Sequence, residues 1–98
     1  MSLPDFTGEC FIGGRWLKGA GATFTSIAPA DGAVIWKGAE AGFADVEVAI
    51  AAAREAFPAW RRRPIEERIA FVRALAKLVD ANRAEMAAII SRSTGKPL

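Results

Sequence analysis

The sequence predicts an α+β fold in which short β-hairpin strands lead into three α-helices. Two observations carry this. Up to residue 41 the chain is rich in glycine and in β-branched and aromatic residues, with turn signals between short extended runs. From residue 42 onward alanine, arginine and glutamate dominate, and apolar residues recur at helical spacing. The shift separates a β-hairpin region, 1–41, from a helical region, 42–98, as two parts of one domain. A chain of this size buries only roughly 60 to 70% of the surface that its unfolded form exposes.

The first hairpin is predicted from CFIGGRWL, Cys10 to Leu17, where Gly13-Gly14 accepts the positive φ of a two-residue hairpin loop. In ATFTSIA, Ala22 to Ala28, Phe24 and Ser26 alternate with Thr23, Thr25 and Ile27 as a strand requires. PADG, Pro29 to Gly32, then supplies a turn. Proline presets φ, aspartate bonds its own backbone, and glycine takes the left-handed corner. AVIWKG, Ala33 to Gly38, returns as the partner strand.

Val46, Ala49, Ile50, Ala53 and Phe57 share one face of a first helix that starts after Gly42. Asp45 falls in its first turn, where the helix dipole favours a carboxylate. Pro58 is expected to end it near Phe57, because a proline inside a helix loses a backbone bond and crowds the preceding turn. A second helix is predicted to begin with Pro64 in its first helical position, followed by Glu66 and Glu67. Ile65, Ile69, Val72, Ala76 and Val79 form its apolar stripe, and Phe71, Leu75 and Leu78 widen it enough for burial on more than one side. NRAE, Asn82 to Glu85, has the spacing of a capping box and opens a third helix from Arg83 to about Thr94. Gly95 is expected as its left-handed terminator, with Pro97 blocking continuation.

Residue usage argues against several kinds of chemistry. The 13 basic and 11 acidic residues leave a net charge of +2, a weak field for a dedicated nucleic-acid binder. The absence of histidine removes both the commonest general base and the commonest zinc ligand. Cys10, the single cysteine, has only Arg15 as a close cation in sequence and reads as a small core residue beside Phe11 and Ile12. It cannot form a disulfide within the chain, which suits a reducing cytoplasm. Asp5 and Glu9 interrupt any charged-then-apolar leader, and no apolar run approaches a membrane span. Asp5, Glu9 and Asp31 are too scattered for a metal cluster, while Trp16, Trp36 and Trp60 read as packing anchors. GGRWLKGAG, Gly13 to Gly21, lacks the strand-to-helix setting of a dinucleotide or P-loop fingerprint. No residue is therefore assigned to catalysis, to a cofactor or to a metal.

Arg61, Arg62 and Arg63, preceded by Trp60, pose a sharper question, since such a cluster can contact phosphates while the ring stacks on a base. Alternatively the arginines form the joint between the first two helices, solvated or paired with Glu55, Glu66 and Glu67. Electrostatic binding needs several convergent cations, and here acids flank the basic run closely. The joint is the expected role.

FIGGRWLKG, PADGAVIWKG, DVEVAIAAAREAFPAW and EERIAFVRALAKLVDANRAEMAAIISRSTGKP, in that order, resemble the opening segment of the NAD(P)-dependent aldehyde dehydrogenase superfamily. The likeness runs from about Phe11 to Pro97. GAVIWKG and AAREAFPAWRRRPIEER are most similar to the branch that oxidises N-succinylglutamate 5-semialdehyde in bacterial arginine breakdown. Ser93 departs from relatives that often carry an acid there, which weakens the expectation of a local salt bridge.

The resemblance implies an NAD-using, oligomeric parent enzyme. In such enzymes a cysteine thiolate attacks the aldehyde, hydride passes to nicotinamide, and a glutamate activates the water that hydrolyses the thioester. Those groups lie downstream in family members, and none maps onto this sequence; Cys10 does not take the nucleophile's role. The chain is thus expected to be an α+β fragment, the leading part of the α/β aldehyde dehydrogenase fold, inactive alone and binding no NAD. Its expected partner is the remainder of the parent enzyme, and in isolation it should self-associate through apolar helix faces. Nucleic acid and membrane are not expected partners, and the cytoplasm is the expected location. Two other functions fit the same residues: a stand-alone helical interaction module, and a small nucleic-acid binder working through Arg61, Arg62, Arg63 and Trp60.

Overall fold

The computed structural model describes residues 6–98. Four strands, β1 (Cys10–Ile12), β2 (Arg15–Leu17), β3 (Thr23–Ile27) and β4 (Val34–Ala39), precede three helices, α1 (Phe43–Arg62), α2 (Ile65–Ala81) and α3 (Arg83–Thr94). The strands form two separate two-stranded ribbons, β1–β2 and β3–β4, both antiparallel. By contact density the described chain falls into two compact units. One combines Phe6–Ser26 with Trp36–Arg62; the other combines Ile27–Ile35 with Arg63–Leu98.

In the first unit β1 and β2 pair Cys10 with Leu17, Phe11 with Trp16 and Ile12 with Arg15. Gly13 and Gly14, at φ 59° and 79°, close the hairpin as expected. Phe11 and Trp16 stack across the strands with ring centroids 4.9 Å apart, a pairing that holds the register. Trp36 on β4 lies 4.9 Å from Phe24. Its indole fills the space that side chains at positions 8 and 38 would need, as expected of a packing anchor, whereas Trp16 meets Phe11 but stays 64% exposed.

The course of α1 corrects one expectation. The helix runs 20 residues and passes through Pro58 to end at Arg62. A proline costs the helix one backbone bond and some crowding, about 3 kcal/mol, but it does not forbid the residues that follow from continuing. Ala59 and the two arginines after Trp60 are good helix formers. Arg61 and Arg62 also occupy the last turn, where cations are favoured by the dipole.

In the second unit the tip of the β3–β4 ribbon follows the PADG turn. Asp31 Oδ1 accepts the Ala33 N–H at 2.9 Å, and Gly32 sits at φ 72°. Pro64 caps α2 from outside with ψ 142° instead of taking its first helical position, since extended ψ there lets its carbonyl receive the first helical bonds. The capping box at Asn82 is not formed. Asn82 makes no side-chain cap bond to α3; its Nδ2 turns back and donates to the Leu78 carbonyl at 2.8 Å. With only Asn82 between the two helices, the residue is buried to 6% exposure, and the Leu78 carbonyl in the last turn of α2, which also accepts the Asn82 N–H at 3.2 Å, is the nearer partner. Gly95 ends α3 at φ 76°, donating to Ser91 O at 2.8 Å, as the sequence predicts.

Candidate functional site

Helix α2 carries a wide apolar surface, and it is uncovered. None of its residues is buried, although its stripe contains Ile65, Ile69, Val72 and Val79 with Phe71, Leu75 and Leu78 beside it. Val72, Leu75, Ala76 and Val79 line an open groove of about 430 Å³, bounded at one end by Asp80 and Arg83. Asp80 and Arg83 pair with each other across one helical turn. Val72 is 65% exposed and Leu75 62%. Among the described residues the only buried apolar side chain is Ala28, so the second unit has no core that these residues serve. The groove holds no nucleophile and no acid–base pair. Its lining is apolar apart from Asp80 and Arg83 at its end.

The sequence candidates for chemistry are dispersed. Arg61 and Arg62 belong to the end of α1. Arg63 pairs with Glu67 at 3.6 Å, and its guanidinium carbon lies 5.4 Å from the Phe71 ring centre. That combination of ion pair and cation–π contact engages the arginine on α2 itself. Cys10 is half-buried on β1 opposite Leu17, while Arg15 faces Ile12. Glu9 accepts from the Thr7 hydroxyl at 3.4 Å, and Asp31 serves its turn; Asp5 lies outside the described residues. No group of three potential metal-ligating side chains occurs among the described residues. The glycines of GGRWLKGAG lie in the β1–β2 turn and in the crossing before β3, not between a parallel strand and a helix. These residues do not fit a dinucleotide.

Asp45 is the polar residue whose reach the sequence understated. Placed in the third position of α1, its Oδ2 accepts the Gly42 N–H at 2.7 Å, as a capping residue does. The same oxygen accepts the N–H of Ala20 at 2.9 Å. The Ala20 and Gly42 donors hold the Asp45 carboxyl below the usual carboxylate range, and partial desolvation opposes them. Spacing could place Asp45 in the first turn, but nothing local signals a partner 25 residues earlier.

Two leading hairpins followed by three helices with an uncovered apolar face have the form of the leading part of a larger α/β fold. The comparisons agree. An NAD-dependent benzaldehyde dehydrogenase from Corynebacterium glutamicum superposes with a TM-score of 0.87 over 94% of this chain and 21% of that one, at 32% identity. The aldehyde dehydrogenase family profile matches residues 16–98. The chain belongs to the aldehyde dehydrogenase family and forms the leading part of its fold. Among curated relatives, the N-succinylglutamate 5-semialdehyde dehydrogenase of Erwinia tasmaniensis is 49% identical over 88% of this chain. That of Caulobacter sp. is 48% identical over 94%, and that of Escherichia coli K12 47% over 89%. The chain spans only 18% to 19% of the length of these relatives.

Proposed function

We propose that the chain is the leading structural segment of an NAD-dependent enzyme that oxidises N-succinylglutamate 5-semialdehyde to N-succinylglutamate in arginine catabolism in the cytoplasm. The carrying observation is the near-half identity, over almost the whole chain, to dehydrogenases named for that aldehyde. In this role the segment contributes no catalytic, cofactor-binding or metal-binding side chain. Its work is to present the α2 face to the rest of the enzyme, which supplies the thiolate, the general base and the NAD site. No helix of the described residues is long and apolar enough to cross a membrane.

A chimaera tests this directly. The corresponding segment of the Escherichia coli relative is replaced by this chain, and NADH formation is followed with N-succinylglutamate 5-semialdehyde. Activity within about tenfold of the unmodified enzyme is expected, and the isolated chain should produce no NADH. Turnover by the isolated chain, or a soluble, folded but inactive chimaera, would overturn the proposal.

In isolation the uncovered face favours association with a second copy. Nucleic-acid binding through Arg61, Arg62 and Arg63 is disfavoured because Arg63 already has partners on α2. Absence of oligonucleotide binding at low salt is the matching expectation.

A further inference from the structure

The linker between β2 and β3 crosses the end of β4 at unusually short range. A methyl group on Gly19 would collide with the Glu40 carbonyl oxygen, and one on Gly21 would lie 2.8 Å from it. Gly21 donates to Glu40 O at 2.8 Å, and Glu40 donates to Ala22 O at the same distance. Between the two glycines, the Ala20 N–H turns to Asp45 at the start of α1. Residues 19–21 therefore lie as a strap across 40–42, and the Asp45 Oδ2 atom touches both layers, taking Ala20 N–H from one and Gly42 N–H from the other.

We propose that Asp45 is the latch of an acid-releasable strap, in which one carboxylate holds segment 19–21 against the entrance to α1. The latch lies within the first compact unit. It joins the only covalent connection between the β1–β2 hairpin and the β3–β4 ribbon to the helix beside which Gly13 approaches Ala52. An ionised carboxylate makes stronger bonds to both N–H groups than its acid form. The latch is thus closed above the ordinary aspartate range, and opens as pH falls through the lowered pKa of the folded state. The charged residues on the segments that Asp45 joins are Lys18 just before the strap, Glu40 just after β4 and Glu47 along α1. The shift at Asp45 arises from the two backbone donors and not from any of these charges.

The test follows the side-chain carboxyl of Asp45 by carbon NMR in the full 98-residue chain, together with amide exchange at Ala20 and Gly42. Asp45 should titrate below its ordinary 3.8, and exchange at both amides should accelerate through the same titration. Asp45→Asn keeps an oxygen acceptor but loses the charge, and should speed exchange at both amides by about tenfold at neutral pH. Should that substitution prevent folding, the wild-type titration alone decides. An Asp45 carboxyl that titrates at or above the ordinary value, or amides indifferent to its charge, would overturn the proposal.

Discussion

We propose that the isolated chain self-associates through α2; replacing Val72 and Leu75 together by glutamate should then leave it monomeric. Both residues line the α2 groove, at 65% and 62% exposure. Full burial of a valine or leucine is worth about 1.5 to 3 kcal/mol. Covering what these two expose therefore yields roughly 2 to 4 kcal/mol per copy, and about twice that when a two-fold interface uses the same face on each partner. Association costs on the order of 4 to 15 kcal/mol in lost rigid-body freedom, so the patch is large enough to decide the balance. Glutamate removes the gain and sets four carboxylates against one another. At about 1.4 kcal/mol per tenfold, losing roughly 4 to 8 kcal/mol should raise the dissociation constant on the order of 10³ to 10⁶-fold. The helix itself should survive, because glutamate is a good helix former and both sites face solvent. Size-exclusion chromatography with light scattering reads the mass, and binding of an apolar dye reads the uncovered face. A wild-type chain that stays monomeric and binds no dye at micromolar concentration would refute the reasoning, as would a variant that associates as tightly as the parent.

Pro58→Ala should stabilise α1 by up to about 3 kcal/mol, since the substitution restores a backbone bond and removes the clash with the preceding turn. Thermal unfolding followed by circular dichroism reads this, and a lower midpoint would show that the proline is needed in α1. Gly21→Ala should destabilise the first unit by about 1 to 3 kcal/mol, because its methyl would press on the Glu40 carbonyl. Trp16, Trp36 and Trp60 all lie in that unit, so denaturant unfolding read by tryptophan fluorescence isolates the effect; an unchanged midpoint would mean that the strap does not lie where it is described.

Local chemistry made much of the backbone legible. Gly13-Gly14 and PADG announce their turns because few residues tolerate those backbone angles, and Gly95 marks the end of α3 for the same reason. The misjudged positions, Pro58, Pro64 and Asn82, share a different cause. Each residue has more than one permitted use, and its neighbours choose between them. Pro58 is unfavourable in a helix but not prohibitive once the flanking residues keep the helix growing. Asn82 can cap the helix that follows or bond back to the one before, and burial in the short junction selects the second. For the candidate site, the excess width of the α2 stripe was visible in the spacing of Phe71, Leu75 and Leu78. That this width stays uncovered is a property of the folded chain.

The sequence by itself determined the succession of two hairpins and three helices and the apolar character of α2. Those features depend on backbone preferences and periodicity within a few neighbouring residues. Tertiary structure alone decided that Asp45 joins Ala20 to Gly42, that Arg63 is engaged by Glu67 and Phe71, and that the second unit leaves its largest side chains in water. The physical reason is range. A turn or a helical face is specified by adjacent residues, whereas a hydrogen bond across 25 residues or a missing cover depends on where the whole chain brings its segments.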